Sequence, residues 1–538
     1  MTVNGVQAMR VVIAPPDSPL AGIMKARLGD AYYGAKPGTK AYSDAQKLYY
    51  FYGSRHFEPL WVTMGTDGTV AFTPAAEKII GVFRNAASEG FRPEDYLTPA
   101  IDITAVGSDT DKVASLETAF STATLKYAHD AYLGRVAPQD VSAAIDPETK
   151  KLDAAALLVK LATSDSPDQV LASLDPTDKE FLELKAALAR IDSGESAPTP
   201  IAVPSGPMLR LGMTDPRVPV LRQRLELPAP DVEDNVYGPD LVAAVKAFQS
   251  SAGETADGIL GPATLAALNK GTTSKISRED IVANMERWRW LPHDLGQFHV
   301  LVNIPEFRVS VVENDNVDFS TRVVVGKPST PTPMFSNSIK NIVVNPYWNV
   351  PASIISKEIA PHMLSNPGYI ASQNMQVLYN GKPIDPYSVD WSANVPVSVR
   401  QLPGPGNALG QIKFLFPNDH DVYLHDTPSK SLFANSVRAY SHGCVRVQNP
   451  MDFANALLKY EPGLSVAKLE SMFGSTERWV NLKTYVPVHI AYFTVRVAPD
   501  GTLHSYGDIY GHNKKLIGLL NGTEKPAAPS KTPIVSGV

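Results

Sequence analysis

Hydrophobic positions recur with a helical period through the first half of the chain and with a strand period through much of the second. From about Tyr42 to Ile191 the pattern is helical. TATLKYAHDAYLGRV places Leu125, Ala128 and Tyr132 at i, i+3 and i+7, and DAAALLVKLA and KEFLELKAALARI repeat it. A helical domain is expected over 42–191, carrying no recognisable chemistry. Residues 1–41, rich in Pro, Gly and Ala, read as a tail. DSGESAPTPIAVPSGP breaks the pattern and predicts a linker over 192–207. Residues 208–270 predict three short helices. Val218, Leu221 and Leu225 line the first, and Leu241, Val245 and Phe248 line the second. Pro262 opens the third, which carries Leu265 and Leu268.

After Met285 the period drops to 2. QFHVLVNIPEFRVSVVENDNVDFSTRVVVG holds two alternating runs around a turn at Asn314–Asn316, with Phe307, Val309 and Val311 alternating against Arg308 and Ser310. SIKNIVVNPYWNV, IKFLFP and DVYLH add strands, and VHIAYFTVRVAPDGTLHSY reads as a hairpin with a Pro-Asp-Gly turn. Between 351 and 403 the strand pattern stops. PASIISKEIAPHML looks helical and DPYSVDWSANVP looks like loop, so an inserted subdomain or lid is expected. Residues 520–538 read as a second tail.

The 538 residues are enough for several domains, and 44% apolar with 19% charged residues suits packed cores. A net charge of −6 gives no basic footprint for nucleic acid. No window approaches the ~20 apolar residues of a membrane span. The opening MTVNGVQAMRVVIAPPDSPL lacks a secretory apolar run.

Cys444 is the only cysteine, which rules out an internal disulfide framework. A lone thiol is most often a small buried hydrophobe. Its surroundings suggest more. DVYLH predicts a strand with Tyr423 and His425 on one face, and YSHGCVRV follows after a polar connection. Asn449 and Pro450 look like the N-cap and first residue of a helix. Cys444 is thus expected on a tight turn between a β region and a helix start. A free thiol, with a pKa of about 8.5, is only a few per cent thiolate at pH 7, and a nearby imidazole lowers that pKa and shuttles the proton. His425 is the candidate base, and His442 is given a supporting role beside the turn. Gly443 allows close approach to a carbonyl, and the Gly443 and Cys444 N–H groups could form an oxyanion hole. Two other readings stay open at this level: His425, His442 and Cys444 as zinc ligands, and an ordinary strand-end histidine beside a structural thiol.

A histidine followed by Ser-His-Gly-Cys at this spacing resembles the signature of the L,D-transpeptidase (YkuD-type) catalytic domain. VVVGKPSTPTPMF, NPYWNVP and RQLPGPGNALG add to the likeness over roughly 285–510. VKAFQ followed by DGILGPATLAALN resembles the peptidoglycan-binding-like domain of cell-wall enzymes. The whole order is similar to the large periplasmic Gram-negative type. The implied fold class is multidomain α+β: a helical N-terminal domain, a small three-helix peptidoglycan-binding-like domain, and a mainly β catalytic domain with an inserted capping subdomain. One departure is Arg446, where many short family members have Asn.

The resemblance implies a two-step acyl transfer. Cys444 attacks the diaminopimelate carbonyl of a tetrapeptide stem and expels D-Ala. The thioester then passes to the diaminopimelate amine of a second stem, or to water. It implies oxyanion roles for Gly443 and Cys444, with Tyr347, Trp348, Ser441, Arg438 and Arg446 as candidate substrate-binding residues. It implies no metal or organic cofactor, a periplasmic location with the export signal removed, and acylation of Cys444 by carbapenem β-lactams. The alternatives are a carboxypeptidase or endopeptidase with the same pair, transfer to an outer-membrane protein, and a non-catalytic wall-binding scaffold.

Overall fold

The computed structural model describes residues 13–194, 201–225, 227, 235–252, 254–269, 276–393, 396–498 and 501–527, with two short strands at Thr2–Val3 and Val6–Gln7. The chain divides into two compact units. One comprises residues 1–135, 149–194 and 288–290; the other comprises 136–148, 195–287 and 291–538.

The first unit is helical, with one small hairpin of Val62–Met64 and Val70–Phe72. Its long helix Thr110–Leu133 turns Phe120, Thr124, Tyr127, Ala128 and Ala131 into the core, while Leu125 and Tyr132 are only half-buried, at the margin of the face expected for them. Glu117 on this helix is fully buried, and its carboxylate accepts the N–H groups of Leu60, Trp61 and Val62. The expected tail of 1–41 is corrected. Pro19–Gly34 is a helix capped by Ser18, and it buries Ala21, Met24, Leu28 and Tyr32 at helical spacing.

Residues 208–270 of the second unit hold three helices, Val218–Arg224, Pro239–Ala252 and Pro262–Leu268. They share a core of Leu221, Leu241, Val245, Leu260 and Leu268. Phe248 is half-buried, and Gln249 beside it goes fully inside. Gln249 accepts the Gly258 N–H and donates to Asp257, Ile259 and Thr264, so it fastens the turn before the third helix. Part of the expected linker 192–207 is docked here: Val203 is buried, and the Asn269 side chain bonds both its N–H and its carbonyl. Residues 195–200 of that linker lie outside the described residues.

The strand pattern begins later than Met285, because Arg278–Trp290 is a helix. The strands are β1 (Phe298–Asn303), β2 (Arg308–Glu313), β3 (Asn316–Gly326), β4 (Ser336–Val344), β5 (Ile412–Leu415), β6 (Leu424–His425), β7 (Ala439–Ser441), β8 (Val445–Val447) and β9 (Arg478–Ala491). They form one sheet in the order β7-β3-β8-β6-β5-β4-β9-β1-β2, and β3 also pairs with β2, so the sheet closes on itself. Such closure leaves few free edges.

The insertion between β4 and β5 is not free of strands, contrary to expectation. Trp348–Val350, Met375–Tyr379, Lys382–Ile384 and Ser398–Gln401 make a separate four-stranded sheet. Helical turns of 352–372 pack on it around a core of its own, with Ile354, Ile359, Met363, Ile370 and Trp391. The expected C-terminal hairpin forms between Val495–Val497 and Leu503–Ser505, but Pro499 and Asp500 of its turn lie outside the described residues. Of the expected tail 520–538, Leu520 still ends the helix His512–Leu520, and the Ala527 N–H donates to the Asp140 carbonyl. Residues 528–538 lie outside the described residues.

Candidate active site

Sheet register builds the site. β6 and β8 run parallel, with Leu424 opposite Val445 and His425 opposite Arg446. Leu424 and Val445 are fully buried on one face. Side chains alternate, so Tyr423, His425, Cys444 and Arg446 share the other face. On the far side of β6, Lys413 pairs with His425 and joins the same face. Cys444 does not lead directly into a helix as expected. It sits between β7 and β8, and the helix Pro450–Leu457 begins only after β8. Asn449 holds the N-cap position but makes no side-chain cap bond.

Three local devices fix the turn. Ser441, buried, donates its hydroxyl to the Cys444 carbonyl at 2.5 Å and accepts the Gly443 N–H at 3.2 Å. Thr332, also buried, donates to the Gly443 carbonyl at 2.7 Å and accepts the Gly326 N–H at 2.8 Å, tying the loop after β3 to the turn. Gly443 has φ +125°, yet a Cβ there would meet only ordinary contacts, the nearest at 3.8 Å. Its backbone, not its surroundings, requires glycine. Gly326 is the converse case: a Cβ would lie 2.3 Å from the Thr330 carbonyl oxygen.

His425 is buried, and its Nδ1 lies 2.5 Å from the Asp426 carbonyl oxygen. A carbonyl only accepts, so Nδ1 carries the proton and Nε2 keeps the lone pair. Burial, then the Arg446 charge, pushes His425 down to about 3, so the ring is neutral across the physiological range. Asp426 is held in turn: its carboxylate accepts the Gln411 N–H at 2.9 Å and Lys430 at 2.6 Å. Gly410 stands where a Cβ would collide with that carboxylate.

Cys444 is half-buried, and its Sγ lies 3.7 Å from the Asp421 carbonyl. Burial pushes the thiol up to about 11, against the pull of Tyr423 hydrogen bonding and of Arg446. The expected lowering of the thiol by its histidine is therefore corrected. Among the described residues His425 and Cys444 share a face but no hydrogen bond. The Cys444 N–H has no partner among the described residues, whereas the Gly443 N–H is taken by Ser441. Of the two donors expected for an oxyanion hole, only the Cys444 amide stands free.

The remaining candidates divide. Arg446 stays on the thiol face, and its Nε is buried without a partner. Arg438 does not serve the site: its guanidinium donates to the carbonyls of Val323, Asn435 and Phe307 and lies over the Phe307 ring. Ser441 likewise faces inward. Trp348 packs into the core of the insertion, and Tyr347 lies beneath the Arg400 guanidinium. Neither makes a hydrogen bond or ring contact with Cys444 or His425 among the described residues. His442 is exposed and turns to Glu358 of the insertion at 2.7 Å and to Lys327 at 3.3 Å. No three His, Cys, Asp or Glu side chains converge into a metal-holding group among the described residues.

Sequence reading missed Lys413, Glu358, Lys327, Thr332 and the Asp426 carbonyl. Lys413 alone carried a signal, as a charge inside the apolar strand IKFLF.

Comparison with known proteins finds three family models that match parts of the chain. The L,D-transpeptidase catalytic domain (YkuD) family matches residues 297–488. The family described as "Putative peptidoglycan binding domain" matches 215–268, and one described as a scaffold domain matches 46–188. A Haemophilus influenzae protein named "Putative L,D-transpeptidase" is 34% identical over 253 residues, covering 45% of this chain and 50% of its own. The chain thus spans about half the length of the curated relative it matches. Among solved structures, an L,D-transpeptidase of Stackebrandtia nassauensis is 16% identical, covering 55% of this chain and 96% of its own with a TM-score of 0.24. One of Xylanimonas cellulosilytica is 18% identical, covering 53% and 98% with a TM-score of 0.19. No helix among the described residues is long and apolar enough to cross a membrane. Residues 297–488 thus match the L,D-transpeptidase catalytic domain family, and residues 215–268 match the peptidoglycan-binding domain family.

Proposed function

We propose that the chain is a peptidoglycan L,D-transpeptidase with Cys444 as nucleophile and His425 as base. The observation that carries this reading is the parallel pairing of β6 with β8. It brings one cysteine, one neutral histidine with a free Nε2 lone pair and a free Cys444 N–H to one face. His425 takes the thiol proton as Sγ attacks the diaminopimelate carbonyl at its L centre, and gives it to the departing D-Ala amine. The Cys444 amide receives the developing oxyanion, a donor of a kind typically worth ~2.7–4 kcal/mol. Arg446 and Lys413 offer two cations to the carboxylates of the donor stem.

The acceptor is the side-chain amine of diaminopimelate on a second stem, and the insertion covers the site and favours transfer over water. The chain acts on the wall side of the inner membrane, in the periplasm, with a role in cell-wall biogenesis and cell shape. Carbapenems acylate the same thiol.

The test is intact-protein mass and product analysis with purified tetrapeptide muropeptide, for the native chain and Cys444→Ala. A thioester, released D-Ala and a dimer, all absent from the variant, support the proposal. D-Ala release without a dimer moves the reading to a carboxypeptidase. A dimer replaced by stem attached to an outer-membrane protein makes that protein the acceptor. No adduct on a demonstrably free thiol leaves a wall-binding scaffold.

A further inference from the structure

An acceptor ammonium must shed two protons to become an amide N–H: one before its nitrogen can attack, one as the C–N bond forms. His425 offers a single lone pair. That lone pair takes the second proton and passes it to the departing sulfur. The first proton needs another base.

The other side of the turn provides one. His442, two residues before Cys444, projects to the surface instead of onto the strand face. Its Nε2 lies 2.7 Å from Glu358 Oε1 and 3.3 Å from Lys327 Nζ. One ring nitrogen cannot donate to the carboxylate and accept from the ammonium at once. Whichever it serves, a charge of the other sign is left without its bond. Lys327 makes no ion pair with a carboxylate among the described residues, and the Glu358 side chain is about half exposed, 47%. Glu358 lies on Ile355–Ile359, a single turn of π-helix in the insertion, a geometry that often marks working positions. The Lys327 side chain is anchored at its base, since its N–H donates to the Ser441 carbonyl at 2.9 Å. An anion and a cation are thus held around one imidazole, within two residues of the nucleophile.

An α-amino acid head, with ammonium and carboxylate on one carbon, is the ligand that fits such a pair. The D centre of diaminopimelate is such a head. We propose that Lys327, Glu358 and His442 form the acceptor half of the active site. Lys327 binds the carboxylate of the D centre, Glu358 binds its ammonium, and His442 removes the first proton. The free amine attacks the acyl carbon on Cys444. The C–N bond forms, the C–S bond breaks, and the second proton passes through His425 to the sulfur. The inference rests on the reading of Cys444 as the acylated nucleophile.

The experiment uses the full chain, an isotopically labelled tetrapeptide donor, and a tripeptide acceptor whose D-centre carboxylate is either free or amidated. Dimer and hydrolysed donor are measured by mass. Glu358→Gln is expected to lower the dimer-to-hydrolysis ratio at least tenfold, with partial recovery in Glu358→Asp. Amidating the acceptor is expected to raise its KM at least fivefold in the native chain, and to have no effect in Lys327→Gln. An unchanged product ratio in Glu358→Gln, or no response of the native chain to amidation, overturns the inference. If the native chain forms no thioester and releases no D-Ala, it is the proposed nucleophile that fails.

Discussion

The thiol of Cys444 is expected to resist alkylation at neutral pH. Burial holds it near 11, roughly two pH units or more above a free thiol. Two pH units correspond to about 2.7 kcal/mol against the thiolate, an upper figure because the residue keeps some exposure to water. At pH 7 only about one thiol in ten thousand is ionised. His425, pushed to about 3, cannot hold the proton as a resting ion pair either. Transfer from such a thiol to such an imidazole costs on the order of 10 kcal/mol before any bond forms. A turnover of a few per second allows a total barrier of roughly 17 kcal/mol. That transfer alone would consume more than half of the barrier, which favours proton transfer concerted with C–S bond formation. Iodoacetamide labelling followed by intact mass from pH 6 to 10 tests this: the rate should still be climbing at pH 10. A plateau at or below pH 8.5 would mean a resting thiolate and would refute the concerted picture.

Gly443→Ala should keep the fold while losing the reaction. Its cost is the positive φ alone, about 1–3 kcal/mol, but the Cys444 amide and Sγ both move; a thermal melt beside acylation kinetics separates the two. Arg438→Ala should destabilise by about 3 kcal/mol, because three carbonyls lose their donor, and Arg438→Lys should not restore it. Weaker donor binding at unchanged stability would instead return Arg438 to the substrate site. Arg446→Gln should raise the KM for donor far more than it lowers kcat, since the charge favours the thiolate and disfavours protonated His425 together. A fall in kcat alone would contradict that cancellation. His489, bonded to Ser336 and Leu295, is pushed down to about 4 by burial. The unfolded chain binds this proton first, so stability is full above pH 6.5 and falls as pH drops toward 4. The loss, at most ~3 kcal/mol, is read as a falling urea midpoint that is shallower in His489→Gln.

Cys444 and His425 were legible because each signal was local: one thiol in the chain, and a histidine in phase with a period-2 strand. Their relation was not, since the parallel register of β6 with β8 depends on pairings far along the chain. Arg438 and Arg446 show the limit. Each is an arginine beside a short strand near the cysteine. One is consumed by the carbonyls of Phe307, Val323 and Asn435, which converge on it from a turn, a strand and a loop, and the other faces the thiol. No local pattern distinguishes them. Glu358 reaches His442 across 84 positions of sequence, from a segment that read only as helical. Lys327 lay unnoticed in the loop after a clear strand. The helix Pro19–Gly34 is a different case: Ala21, Met24, Leu28 and Tyr32 carry the period, and the prolines and glycines around them obscured it.

The signs of the charges on the thiol face bear on when the reaction starts. Arg446 and Lys413 both disfavour protonation of His425, after burial, which is the larger cause. Arg446 at the same time favours the thiolate. In the empty site these effects oppose one another, and the base is too weak to draw the proton by itself. An anionic donor stem seated on the two cations, as proposed above, would act on both groups. It would relieve His425 of two unfavourable neighbours and deprive the thiol of two favourable ones, since Lys413 as well as Arg446 interacts with the thiolate. On the proposed reading the imidazole would gain basicity as the donor carbonyl arrives beside Sγ, which would couple donor binding to base activation. A thiol held neutral until that moment is also protected from oxidation and stray electrophiles, which suits the periplasmic location proposed above.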